Sequence, residues 1–388
     1  MIEVTWFRND HEHRNDWIRY GMMQLHDLGR ITYTQVPLTS AKSGELAQEI
    51  VSHEHRHTSV LAIGTRSSRR VVILDSEDSF FWMSPLAAFC DIYFCSGYNC
   101  DLYEHRRWEN PYRWLKPYQV SFYEQRAREL IERYGAHFRK VRPLAPIMPT
   151  AHLDNNVTWP EQKYRNLEFR LRRLATPGTL WRLERRIFDK RAAVLAQLRE
   201  TPLSYDVTLA DSLWGWPTHR IRLHEELRRL SGRWRINSVL NWTPPLECDG
   251  STEEAHQPSD FPMKVGHIED YEKMLAASRL GIFATGFHWG WRSIMALALY
   301  LGIPVLCDRL ILEPHFDLRA FDIIENNDIK WGGVEKLLAD IDDTSWYARR
   351  KRNQAQFDQF MSPIALASYI IEIHGRATTT DTKHVVGP

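Results

Sequence analysis

Two short segments of the 388-residue chain hold the titratable groups needed to move a proton during a reaction. The first, Asn9-Asp10-His11-Glu12-His13, follows the apolar run Ile2–Phe7 directly. A carboxylate beside an imidazole at the carboxyl end of a strand suits general-base work on a hydroxyl. Asp10 and His11 are therefore candidate catalytic residues, weighed against an ordinary solvated loop. The second, Asp75-Ser76-Glu77-Asp78, closes the apolar run Val71–Leu74. Its carboxylates also have the spacing and oxygen chemistry of a Mn²⁺ or Mg²⁺ site. Short acidic motifs are common by chance, however, and this one is read as acceptor-side or structural, with Glu77 or Asp78 as the second candidate base.

A third segment, Ala284-Thr285-Gly286-Phe287-His288-Trp289-Gly290-Trp291-Arg292, has phosphate-binding character. It reads as a strand end, a loop with two glycines and a helix start. The first turn of a helix presents unpaired N–H groups and a partial positive charge. Gly286 and Gly290 let the backbone approach a phosphate closely. Arg292 adds a charge-assisted fork, and His288 stands where a phosphate or leaving group would lie. The competing interpretation is a plain strand-to-helix turn in which Trp289 and Trp291 only pack. Cys90, Cys95 and Cys100 are spaced too widely for the usual zinc pairs, although His105 is near. They read as core thiols, and no metal is expected.

The elements that must position these groups alternate along the chain. Apolar strand-like runs separated by helical stretches predict an α/β fold with mostly parallel sheets. In the first 150 residues the strands are 2–7, 31–36, 59–64, the run ending near 75, and 91–99. A proline-rich stretch and Arg-rich helices follow over 151–203. The alternation restarts over 204–345, helices cover 346–373 with Pro363 breaking them, and 374–388 reads as a flexible tail. The two halves predict two Rossmann-like domains facing a central cleft, where ligands of open parallel sheets bind.

Composition narrows the function. The 50 basic and 49 acidic residues give a net charge of +1, so no global field points to a polyanion or an anionic membrane. No stretch nears the roughly 18 unbroken apolar residues of a membrane span, and the start has no signal-peptide pattern. Five cysteines in this length suit a reducing compartment, and a cytoplasmic protein is expected. The Arg-rich helices offer a basic patch for an anionic acceptor or nucleic acid, or else a solvated amphipathic pair, the reading favoured here.

The stretch Glu269–Pro314 resembles the C-terminal domain of GT-B glycosyltransferases, nearest the exostosin-like and family-one-like branches. Tyr271, Leu275, Ser278-Arg279, Gly286 to Gly290, Arg292 and Gly302-Ile303-Pro304-Val305 carry the resemblance. It implies a glycosyltransferase that moves a hexose or pentose from a nucleotide-diphosphate sugar, most naturally a UDP-sugar, to a hydroxyl acceptor without a cofactor. By the same resemblance the donor would lie against Arg220, Tyr271, Gly286, His288, Trp289, Gly290 and Arg292. The acceptor would enter past Asp10 and Glu77. This sequence departs from the family at Met295, where a Glu that contacts the donor is common, and Glu313 is the expected substitute. Three alternatives stay open: a transferase acting on modified phage DNA bases, a metal-dependent GT-A-like enzyme using 75–78, and a catalytically silent nucleotide-sugar-binding module.

Overall fold

The computed structural model describes residues 1–9, 12–41, 44–65, 68–77, 79–146, 148, 177–213, 216–242, 266 and 268–383. Asp10, His11, Asp78, the 151–176 stretch and the polar loop from 243 to 265 therefore lie outside the described residues.

Six strands build the N-terminal sheet: β1 (Ile2–Arg8), β2 (Ile31–Pro37), β3 (Thr58–Thr65), β4 (Ser68–Asp75), β5 (Ile92–Cys95) and β6 (Val141–Pro143). Their order is β2-β1-β3-β4-β5-β6. β3 and the last four residues of β4 are buried almost throughout, as strands covered on both faces must be. The sheet departs from all-parallel at β3, which runs antiparallel to β1 and β4. Only two residues separate Thr65 from Ser68, too few for the crossover a parallel pair requires, so the chain reverses as a hairpin.

The C-terminal sheet is parallel in every pairing. Its strands are β7 (Tyr205–Ser212), β8 (Ile236–Asn241), β9 (Ser278–Phe283), β10 (Val305–Asp308) and β11 (Ile323–Asn326), in the order β11-β10-β9-β7-β8.

The helices fall around these sheets. α1 (Asp16–Asp27), α2 (Gln48–Ser52), α3 (Cys100–Tyr103) and α4 (Pro117–Tyr134) belong to the N-terminal half. After α5 (Pro177–Leu198), the C-terminal half holds α6 (Pro217–Leu230), α7 (Tyr271–Ala276), α8 (Ser293–Leu301), α9 (Val334–Asp340) and α10 (Asp343–Phe360). α8 is buried from Met295 to Leu301, the mark of a central helix without a solvent face. It stops at Gly302, whose φ of 84° only glycine adopts readily. α10 crosses it, and the Arg350 side chain donates to the carbonyls of Leu198, Thr201 and Leu301.

The last helix, α11 (Pro363–Lys383), returns to the N-terminal half. It packs on α1 at Gly21, where a Cβ would stand 1.8 Å from the Pro363 carbonyl oxygen. Trp17 Nε1 donates to the Met361 carbonyl at 2.9 Å, and the Tyr369 hydroxyl donates to the Pro143 carbonyl at 2.9 Å. Among the described residues no helix is long and apolar enough to cross a membrane.

Candidate functional site

In the C-terminal sheet the strand order reverses between β7 and β9. β8 lies on one side of β7, while β9, β10 and β11 follow on the other. A crevice outside the carboxyl ends of the strands at such a reversal is where doubly wound sheets take ligands. Asp211 ends β7, Thr285 follows β9, and Asp308 ends β10, so all three stand on that edge.

The Asp211 carboxylate is buried and shared by two guanidiniums. Arg220, from the first turn of α6, bonds to Oδ1 and also donates to the Thr285 carbonyl at 2.9 Å. Arg292, immediately before α8, reaches the same carboxylate with both terminal nitrogens, at 2.9 and 3.1 Å. Burial alone would raise the Asp211 pKa; the Arg220 and then the Arg292 charges outweigh it and hold it at about 2. One carboxylate cannot neutralise both arginines. Their side-chain exposures differ, 4% for Arg220 and 17% for Arg292, so Arg292 is the more accessible of the two. His224 lies one turn after Arg220, buried, with neither ring nitrogen hydrogen-bonded to any described residue. Burial, aided by the neighbouring guanidiniums and opposed by Asp211, lowers its pKa to about 4. Asp308 accepts from the Thr285 amide at 2.8 Å and stands 3.0 Å from His219 Nε2.

The loop between β9 and α8 is tightly wound. The Gly286 amide donates to the Gly290 carbonyl at 3.2 Å, and the Trp289 amide to the Gly286 carbonyl at 3.0 Å. A Cβ on Gly286 would meet the Gly290 oxygen at 2.4 Å, which explains the glycine. His288 and Trp289 both hold left-handed backbone, with φ of 50° and 63°. Two successive non-glycine residues in that region are strained and persist only where their surroundings hold them.

Trp216 Nε1 holds the loop from the C-terminal half by donating to the Gly286 carbonyl at 2.8 Å, and the contacts that follow come from the N-terminal half. The Trp289 ring lies parallel to Trp108 at 5.2 Å and contacts Tyr123 at 4.1 Å and Phe81 at 5.2 Å. The Tyr123 hydroxyl and His288 Nδ1 are 3.0 Å apart, and Ser79 Oγ donates to the His288 carbonyl at 3.1 Å. Tyr112 donates to the Arg309 carbonyl at 2.8 Å, and Trp114 stacks on His219 at 4.4 Å. Phe81, Trp108, Tyr112, Tyr123 and Trp289 thus form one packed aromatic cluster beside the 286–290 loop.

The other candidates are placed as follows. Glu77 is half-buried, its carboxylate 3.4 Å from His57 Nε2 and its amide bonded to Asp75. Ser79, two residues further on, is the one that bonds the 286–290 loop. Asp75 itself is fully buried and bonded by the Tyr93 hydroxyl. Burial raises its pKa to about 6, against the pull of Tyr93 and the Glu77 amide. Tyr271 opens α7, and burial pushes its phenol up to about 12. Glu313 accepts from the Cys100 amide at 2.8 Å while its own amide donates to the Tyr98 carbonyl at 2.8 Å, which straps it to the N-terminal half. Met295, at the family's acidic position, is core.

Two arginines of α5 pair within the molecule, Arg185 with Asp27 and Arg191 with Asp16, and Arg199, one residue beyond the helix, pairs with Asp358. Sequence reasoning gave no role to Asp211, Asp308 or Tyr123. Two of them had a readable signal, an aspartate closing each of the apolar strands Tyr205–Ser212 and Val305–Asp308. Tyr123 had none.

No known family profile matches the chain, and no curated protein does. Solved structures with partial similarity include the N-terminal domain of Candida albicans trehalose-6-phosphate phosphatase, at 13% identity and a TM-score of 0.30 over 48% of this chain and 44% of that one. The spinosyn forosaminyltransferase SpnP matches at 16% identity and 0.26, covering 46% of each chain. The accessory secretory protein 1, 2 and 3 structure from Streptococcus pneumoniae matches at 9% and 0.32, over 76% of this chain and 44% of that one. The matched region spans less than half of each of those chains, and at these scores no site or substrate carries over from them.

Proposed function

We propose that the chain is a glycosyltransferase of GT-B organisation that moves a sugar from a nucleotide-diphosphate sugar to a hydroxyl acceptor without a metal ion. The observation that carries this reading is the convergence of Arg220, Arg292 and Asp211 at the strand-order reversal, beneath the glycine-tightened 286–290 loop. In this proposal Arg292 meets the diphosphate. Asp211, held ionised, and Arg220 fix its guanidinium, so little reorganisation is needed as charge develops on the leaving group. The His288 imidazole, oriented through Nδ1 by Tyr123, faces the same loop. The acceptor enters from the N-terminal sheet past Glu77, with Asp10 and His11 as further acceptor-side candidates. UDP is the first base to try.

A second reading has an observation of its own. Trp289 is packed into the aromatic cluster and both arginines already hold a carboxylate, the arrangement expected of a module that keeps the fold and binds a nucleotide sugar without turning it over. Arg185 and Arg191 of α5 pair within the molecule and so add nothing to a nucleic-acid surface, while residues 160–176 of the Arg-rich stretch lie outside the described residues.

Thermal shifts with nucleoside diphosphates and their sugars, in EDTA and then in Mn²⁺, test the proposal. One diphosphate series at 100 times its dissociation constant adds about 2.7 kcal/mol in EDTA, and Arg292→Ala removes that shift. No response from any diphosphate, or a response only with Mn²⁺, overturns it. Binding without transfer or donor hydrolysis selects the silent module.

A further inference from the structure

The segment that follows β5 carries a group of ligands distant in chemistry from the arginine site. Cys100 is the first residue of α3, and Glu104 follows one helical turn later on the same side. The chain then leaves the helix through Arg106, at φ 54°, with the Arg107 amide returning to the Asp101 carbonyl at 2.9 Å. His105, just before that turn, lies beside the other two. One ligand atom each from Cys100, Glu104 and His105 lies within 4.8 Å of the others. Among the described residues this is the one such convergence of cysteine, histidine and carboxylate atoms.

From this geometry we infer that Cys100, Glu104 and His105 form a three-ligand site for a zinc ion. A thiolate, an imidazole and a carboxylate are the borderline donor set that zinc takes, whereas Mg²⁺ and Ca²⁺ prefer oxygen alone. Tetrahedral ligands at about 2.0–2.3 Å stand roughly 3.5 Å apart, so closure needs side-chain movements of about 1 Å. Glu104 and His105 are exposed and Cys100 half-exposed, which permits that movement and leaves the fourth position to water. The outer shell is in place. The Tyr98 hydroxyl donates to Glu104 Oε1 at 2.7 Å and fixes the carboxylate from outside the cluster. Glu313, bonded to the Cys100 amide, adds a nearby negative charge. On binding, the Cys100 thiol releases its proton to solvent and a sulfur–zinc bond forms, while neutral His105 and ionised Glu104 each supply a lone pair. No electron is transferred.

The site also lies on the strap between the halves. Asn99 Nδ2 donates to the Ile311 carbonyl at 2.7 Å, one residue before Cys100 takes up Glu313. An ion here would stiffen the turn that holds that strap.

The test is titration of the full chain with Co²⁺ as a spectroscopic stand-in, followed by displacement with Zn²⁺. Wild type should bind one equivalent, with a sulfur-to-cobalt charge-transfer band that Zn²⁺ abolishes. Cys100→Ser should lose the band. Glu104→Gln and His105→Ala, both at exposed positions, should each weaken Zn²⁺ binding by at least about tenfold. Zinc should raise the melting temperature of wild type and leave Cys100→Ser unmoved. The absence of a thiolate band in wild type, or equal zinc affinity in Glu104→Gln and His105→Ala, overturns the assignment. Should Cys100→Ser fail to fold, those two variants still decide it.

Discussion

Asp211 is the residue on which both guanidiniums of the crevice depend. Replacing it with Asn leaves Arg220 buried without a counter-charge, and breaking a buried pair in this way costs roughly 3–5 kcal/mol. Denaturant unfolding of Asp211→Asn at neutral pH measures that loss, and a variant as stable as wild type would deny the pairing. The charge also sets an acid limit. The folded pKa of Asp211 lies below its ordinary value, so its contribution is complete above about pH 4 and is lost as pH falls towards 2. Asp75 and His224 act on a different window, with opposite signs. His224 is held neutral in the fold down to about pH 4, so the unfolded chain binds the extra proton between 6.5 and 4, and stability falls as pH drops through that range. Asp75 titrates near 6 in the fold, so the folded chain binds the extra proton between 6 and 3.8, and stability rises as pH drops. Each effect is on the order of 3 kcal/mol, and His315, which burial also holds down to about 4, acts in the same direction as His224, so Asp75 offsets only part of the histidine loss. Asp75→Asn should therefore expose the His224 loss, its stability decreasing from pH 6 to 4. His224→Leu should show a shallower loss than wild type over the same range, since His315 remains. Parallel pH profiles for the two variants would refute this balance.

At the scale of elements, what the sequence made legible was local. Alternating and apolar runs marked most strands, Pro363 marked the break between α10 and α11, and Gly-Ile-Pro-Val marked the end of α8. Gly302 is required twice over: its φ is 84°, and a Cβ would meet the Arg350 carbonyl oxygen at 2.3 Å. Gly302→Ala should then destabilise the protein by more than about 1 kcal/mol, with unchanged urea unfolding as the contrary result. What stayed hidden was pairing over distance. The arginines of α5 read from local pattern as a solvated face, because Asp16 and Asp27 are more than 150 positions away in sequence. The same holds at the crevice. Residues 286–292 have the composition of a phosphate loop, yet what occupies Arg292 is Asp211, and most of what surrounds Trp289 comes from the other half. A reversal of direction at β3 was readable only from the two-residue gap, since an apolar strand looks alike in parallel and antiparallel pairings.

Among the described residues the two halves of the molecule touch at many points, and three of these links stand out. α11 packs back on α1, Glu313 is strapped to Tyr98 and Cys100, and Trp289 sits among Phe81, Trp108 and Tyr123. Of these the tryptophan contact is the one at the site itself, and Trp289 is 2% exposed. It also balances the cost of the left-handed backbone at His288 and Trp289, because a strained loop persists only while its anchor holds it. Removing the anchor should have two consequences. Trp289→Ala loses a buried aromatic side chain, worth about 3–5 kcal/mol, and frees the loop to relax. The halves then share fewer contacts, so cooperativity between them weakens. Scanning calorimetry of wild type should show one transition, and Trp289→Ala should show two, with the first at a lower temperature. Tyr123→Phe, which removes only the hydroxyl bonded to His288, should keep a single transition while lowering its midpoint slightly. If Trp289→Ala also melts in one step at an unchanged temperature, the aromatic contact does not couple the halves, and the remaining links, α11, the Glu313 strap and the Tyr112 and Trp114 contacts among them, hold them together.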